Sequence, residues 1–131
     1  MRKVIYTEDA PKPIGPYSQA IQVGHTLYVS GQIALDPKTN ELITSNIEVE
    51  THRVLDSLGA ILHAAGMDFE HVSKCSVFVK DIKQFNNINA VYATYFPTQG
   101  APARELVQVS ELPRGVNVEI SCIAYKYFSK S

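Results

Sequence analysis

Tryptophan is absent from the 131-residue chain, and cysteine and methionine occur only twice each. Both cysteines, Cys75 and Cys122, fall at apolar positions of strand-like alternation. They read as small buried hydrophobes in a reducing compartment rather than a disulfide framework, and the expected location is cytoplasmic. No apolar run approaches the length of a membrane span, and the opening Met1-Arg2-Lys3-Val4-Ile5-Tyr6 turns polar too soon for a signal peptide. A membrane partner is therefore not expected. A dominant charge is also missing: 12 Lys and Arg stand against 13 Asp and Glu, a net charge of -1. Binding to nucleic acid rests mainly on phosphate neutralisation, and nothing here forms a basic stripe, so nucleic acid is not the expected partner. The four histidines show no metal-ligand spacing. His52 and His63 share a helix face about three turns apart at ~3.6 residues per turn, too far to bind one ion. Internal repeats, low-complexity tracts and linkers are lacking too. Residues 1–131 read as a single domain, 45% hydrophobic and long enough to close one core.

Taken in order, the chain opens with a short edge strand over 3–7, then Ala10-Pro11-Lys12-Pro13-Ile14-Gly15-Pro16. Three prolines there remove backbone donors, so that loop cannot join a sheet. Residues 17–31 read as a hairpin turning at Gly24-His25, and Gly31 at its end marks a bulge or a close approach of backbone. Ser45-x-x-Glu48 has the form of a capping box. Behind it Ile47, Val54, Leu55, Leu58, Ile61, Leu62 and Ala65 recur at helical spacing, and Gly66 stands where a C-terminal cap belongs. Residues 72–80 form the next strand, with Cys75, Val77 and Val79 inward. Asp81-x-x-Gln84 caps a second helix carrying Phe85, Ile88, Tyr92, Tyr95 and Phe96, which Pro97 stops. Asn89 interrupts that apolar face, and a buried amide requires a partner, backbone or ligand.

Two stretches follow that alternate with period two, residues 101–109 and 116–122. Val107 and Val109 mark the core face of the first; Val118, Ile120 and Cys122 mark that of the second. Arg104, Leu106 and Gln108, with Asn117, Glu119 and Ser121, then occupy the opposite faces. Arg104 and Glu119 are accordingly expected to leave the sheet on the same side. The order of elements argues for a partly parallel sheet with both helices on one face. Its other face, with Tyr28, Phe78 and Leu106 among polar groups, has no third helix to cover it, so a second copy of the chain is the expected cover.

Gly15-Pro16-Tyr17-Ser18-Gln19, Ser30-Gly31-Gln32, Ala64-Ala65-Gly66, Val77-Phe78-Val79-Lys80-Asp81, Pro102-Ala103-Arg104 and Val118-Glu119-Ile120 together resemble the RidA (YjgF-type) reactive-intermediate deaminases, also called the L-PSP endoribonuclease family. The likeness runs in order over nearly the whole chain. It implies an α+β, chorismate-mutase-like fold: a mixed six-stranded sheet with two helices on one face, three copies forming a homotrimeric β-barrel core with sites between subunits. It also implies hydrolysis of 2-iminoacids and their enamine tautomers to 2-oxoacids and ammonia, with no metal or organic cofactor. The expected ligand is a small 2-iminoacid or 2-oxoacid.

The same resemblance assigns roles. Arg104 holds the substrate carboxylate with paired hydrogen bonds that lysine cannot copy. Glu119 and the backbone carbonyl of Leu106 position the attacking water. Tyr17 closes the cleft from the adjacent subunit, Ser30 and Gly31 line it, and Phe85 and Asn89 shape its wall. Relatives carry cysteine where this chain has Leu106; a carbonyl role survives that change and thiol chemistry does not. Glu105, by alternation, points away from Arg104. Blander readings stand beside these: Arg104 and Glu119 as a structural ion pair across a subunit boundary, Tyr17 as loop packing, Asn89 as a backbone bridge. The competing functions are an endoribonuclease or translation inhibitor, and a non-catalytic small-carboxylate-binding or chaperone-like protein.

Overall fold

Helix α1 (Ile47–Ala64) forms where the periodicity places it, and it begins on Asn46, whose side-chain oxygen accepts from the Val49 N–H at 2.9 Å. The cap is thus one residue beyond the Ser45-x-x-Glu48 box, because Asn46 is the residue with extended backbone and an oxygen in reach of N3. At the other end Gly66 takes φ 74, its N–H meets the His63 carbonyl and that of Met67 meets Leu62. That is a Schellman stop, and it uses the left-handed freedom of glycine. Val54, Leu55, Leu58, Ile61 and Leu62 are fully buried on one face, each contributing about 1.5–3 kcal/mol of burial.

The computed structural model describes residues 2–129. Strands β1 (Arg2–Ile5), β2 (Ala20–Val23), β3 (Thr26–Gln32), β4 (Val72–Val79), β5 (Ala103–Gln108) and β6 (Val118–Tyr125) make one six-stranded sheet in the order β1-β2-β3-β6-β4-β5. Only β4 and β5 pair in parallel, so the sheet is mixed and the fold is α+β. Helix α2 (Phe85–Tyr92) lies beside α1 in the layer that covers one face. It is shorter than expected. Asp81 caps a 3-10 turn over Ile82–Gln84, and beyond Tyr92 the chain turns, which lets Tyr95 and Phe96 pack edge-on against Phe69 at 5.3 Å each.

One expected phase is inverted. In the parallel register Cys75 sits opposite Arg104 and Val77 opposite Leu106, so Arg104, Leu106 and Gln108 face the helices and Glu105 and Val107 face away. Leu106 packs against the core, whereas Val107 is 43% exposed. Strand β5 carries apolar residues on both faces, and its partner, not its own composition, decides which goes in. Glu105 does point away from Arg104, as alternation requires; it meets Ser76 and, at 3.2 Å, Lys74. The uncovered face displays Val4, Tyr28, Val107, Ile123 and Tyr125. The bulge expected at Gly31 is present, as a register shift between Val29 and Gln32 against β6.

A carboxylate fastens the helix layer to the sheet. Glu50 on α1 is wholly buried and accepts from the Asn117 N–H at 2.7 Å, the Asn117 side-chain amide at 2.8 Å and the Val118 N–H at 3.2 Å. Removing the acceptor strands buried donors at the start of β6. Glu50→Ala is expected to lower unfolding stability by about 3 kcal/mol in denaturant titration.

Candidate active site

Arg104 stands on the edge strand β5 with its side chain over α2. Phe85, Asn89 and Tyr92, at i, i+4 and i+7, form one stripe of that helix beneath it. The guanidinium carbon lies 4.8 Å from the Tyr92 ring centre and 5.8 Å from that of Phe85, a cation–π seat. One guanidinium nitrogen donates to Asn89 Oδ1 at 2.7 Å. Since arginine only donates, Asn89 must turn its oxygen to it and its NH2 elsewhere. The amide on the apolar face thus finds its partner in Arg104, not in backbone. Tyr92, seen from sequence only as a core position, holds the cation from below. Its hydroxyl lies beside the Cys75 thiol; burial, and then that neighbour, push its pKa above the ordinary phenol range.

The Leu106 side chain packs against the core, and the strand pairing fixes where its carbonyl points. Val109 donates to the Val79 carbonyl at 2.8 Å, so the residues at odd separations from it on β5 turn their backbone groups outward. The Leu106 carbonyl therefore opens on the free edge of the sheet, two residues from Arg104.

Tyr17, Ser30, Gly31 and Glu119 form a second group. Gln19, only 2% exposed, binds the Thr7, Ala10 and Pro11 carbonyls and accepts from the Thr7 N–H, which ties the proline loop in place. Ser30 docks on the same segment, its hydroxyl donating to the Ser18 carbonyl at 2.6 Å and its N–H to Gln19 at 2.9 Å. Tyr17, 53% exposed, closes the loop by accepting from the Ile14 N–H at 3.3 Å. Two hollows meet at Tyr17: one of about 600 Å³ that includes Ser30 and Tyr28, and one of about 390 Å³ that includes Gly31. Glu119 folds across Gly31 so closely that a Cβ there would sit 2.9 Å from the carboxyl carbon. Gly31 is needed for room, not for conformation. Half burial of Glu119 raises its pKa above the usual carboxylate range.

The expected residues thus come together as two groups, not one. Glu119 pairs in register with Phe78 on the uncovered face, while Arg104 pairs with Cys75 on the helix face. They leave the sheet on opposite sides, contrary to expectation, because β5 takes its phase from β4. Among the described residues neither takes part in an ion pair within the chain. Sequence reasoning missed Tyr92, Gln19 and Glu50; the spacing of Phe85, Asn89 and Tyr92 was a signal for the first. Cys75 and Cys122 are free, buried cross-strand neighbours, and burial raises both thiols. The histidines hold other partners: His52 meets the Tyr95 hydroxyl at 2.9 Å and His63 the Asp68 carboxylate at 3.4 Å. Among the described residues no group of His, Cys, Asp and Glu is arranged to hold a metal ion.

The family model described as Endoribonuclease L-PSP matches residues 7–126. The chain belongs to the L-PSP (RidA/YjgF-type) family. A RutC family protein of Saccharolobus solfataricus is 53% identical over 126 residues, 96% of this chain and 99% of that one. A mouse protein named 2-iminobutanoate/2-iminopropanoate deaminase is 50% identical over 125 residues, 95% of this chain and 91% of the mouse protein. The crystal structure of Escherichia coli TdcF with bound serine superposes with a TM-score of 0.90 at 37% identity, covering 95% of this chain and 99% of that one. Within this Rid-type fold, β5 and β6 carry the two candidate groups on opposite faces.

The desolvated carboxylate has a measurable signature. A group whose folded pKa is raised above its unfolded value favours folding at low pH, and that contribution is lost as pH rises through the folded pKa. Glu119→Gln is expected to remove this fall, so its stability relative to the parent rises as pH climbs out of the ordinary carboxylate range. Denaturant titrations across that range read it directly.

Proposed function

We propose that this chain hydrolyses 2-iminoacids and their enamine tautomers, 2-iminobutanoate and 2-iminopropanoate among them, to 2-oxoacids and ammonia, in clefts completed between the copies of a homotrimer. The observation that carries the reading is the separation of the two groups. A partly uncommitted fork of donors stands at the edge of β5, and a desolvated carboxylate stands on the far face at β6. Among the described residues neither has a counter-charge within the chain, and the uncovered apolar face offers a surface on which a second copy can bring them together. The deaminase name of the mouse relative and the serine bound in TdcF support a small amino-acid-derived substrate.

In this reading one arm of Arg104 stays on Asn89, and the remaining donors grip the substrate carboxylate in a charge-assisted pair worth roughly 1.5–3 kcal/mol per bond. The aromatic seat of Phe85 and Tyr92 fixes the plane of the fork. Tyr17, Ser30 and Gly31 of the neighbouring copy line the opposite wall. Water, held by Glu119 and the outward Leu106 carbonyl, adds to the carbon of the C=N bond while the π pair moves to nitrogen. Glu119 takes the proton from that water and returns it to nitrogen. Glu119 then passes the hydroxyl proton to nitrogen, which leaves as ammonia with the C–N electron pair as the carbonyl forms. One water enters and one ammonia leaves. A raised pKa makes Glu119 a stronger base for the transfer from water.

Generating 2-iminobutanoate with a threonine dehydratase and trapping it with semicarbazide tests the reaction. The chain is expected to hasten release of 2-oxobutanoate. Arg104→Ala should reduce kcat/KM about a hundredfold or more, from the loss of two charge-assisted bonds. Arg104→Lys should restore little. Mixed trimers assembled from Arg104→Ala and Glu119→Gln chains should recover activity that neither parent trimer has, since some clefts then receive an intact half from each. Mixed trimers that form and remain inactive would sink the intersubunit site. Full activity in Arg104→Ala would sink the catalytic assignment.

A further inference from the structure

Apart from Tyr17 and Gly31, the residues lining the hollow of about 390 Å³ take no part in the hydrolysis. Tyr17 and Gly31 line this hollow, and Glu119 lies against Gly31. Its walls are apolar, with Ile14, Ile33 and Pro113 among them, and it exceeds what a four-carbon acid requires. Lys12 and Arg114 also line it, and among the described residues no acidic side chain does. Arg114 is held there by its backbone. It takes φ 57 and ψ 20 in the turn over Pro113–Gly115, a left-handed conformation unfavourable for an arginine, and one guanidinium nitrogen donates to the Asn40 carbonyl at 3.3 Å. Asn40 is itself left-handed at φ 63. Two left-handed residues thus stand at Arg114 and its hydrogen-bond partner, and Arg114 lines the same hollow as Tyr17 and Gly31.

Resting on the reading above, we infer that this hollow receives the substrate's side chain, and that Arg114, assisted by Lys12, selects iminoacids whose side chain ends in a second carboxylate. An apolar wall takes the methylene stem, and a fixed guanidinium suits a carboxylate at its far end. Arg104 and Arg114 would then hold the two ends of a dicarboxylic substrate with its C=N bond between them, near Glu119. The reaction is unchanged, because the second carboxylate takes no part in it.

Calorimetric binding of 2-oxoacids to the full chain tests the selection without relying on turnover. 2-Oxoglutarate or 2-oxoadipate is expected to bind about tenfold tighter than the neutral 2-oxohexanoate, the size of one charge-assisted contact. That preference should fall about tenfold in Arg114→Gln, fall less in Lys12→Gln, and be largely kept in Arg114→Lys. Equal or tighter binding of 2-oxohexanoate overturns the inference, as does a preference that survives Arg114→Gln. Preference in binding without any hydrolysis of 2-iminobutanoate supports the side-chain site and overturns the hydrolytic reading alone. Hydrolysis of 2-iminobutanoate with no preference among the 2-oxoacids does the reverse.

Discussion

The parallel pairing of β5 with β4 sets the geometry of Arg104 and Leu106 and keeps Arg104 apart from Glu119. A strand's side chains alternate, so one register choice commits all of them at once. With Cys75 opposite Arg104, the arginine rises over α2, where Tyr92, Phe85 and Asn89 hold its plane. The same choice turns the Leu106 carbonyl to the sheet edge and Glu105 to the opposite face, where Lys74 and Ser76 occupy it. Strand β6 meets β4 from its other side, and there Glu119 faces away from the helices. An arginine and a carboxylate only two strands apart in the sheet are thereby kept from neutralising each other. Each stays available to something outside the chain.

Two glutamates near the start of β6 show how burial can serve opposite ends. Glu50 is completely enclosed, yet three N–H donors from Asn117 and Val118 satisfy it, and its effect is to fasten α1 to the strand. Glu119 begins one residue beyond that anchor. It is half-buried without comparable donors among the described residues, and desolvation raises its pKa. Gly31 makes room for it, and the bulge between Val29 and Gln32 brings Gly31 there. A satisfied carboxylate thus positions an unsatisfied one. Gln19 acts in the same way on the other wall, converting a donor-poor proline loop into a fixed support for Tyr17 and Ser30.

Much of this was legible locally. The stripe from Val54 to Leu62 and the glycine at 66 announced α1 and its stop, since helix periodicity and capping depend on neighbours in sequence. The alternation of Cys75, Val77 and Val79, and of Val118, Ile120 and Cys122, announced β4 and β6 with their correct faces, because polar Ser76, Glu119 and Ser121 interrupt the opposite side. Residues 101–109 were different. Leu106 and Val107 make both faces partly apolar, so periodicity identified a strand without its phase. Asn89 was recognisable as a group in need of a partner, but not as the acceptor for Arg104. By itself the sequence determined the element types, most of the core and the residue types suited to binding a small anion, all properties of short stretches of chain. Only the tertiary structure decided which sides of the sheet Arg104 and Glu119 occupy, because that follows from a pairing between strands distant in sequence that no local pattern encodes.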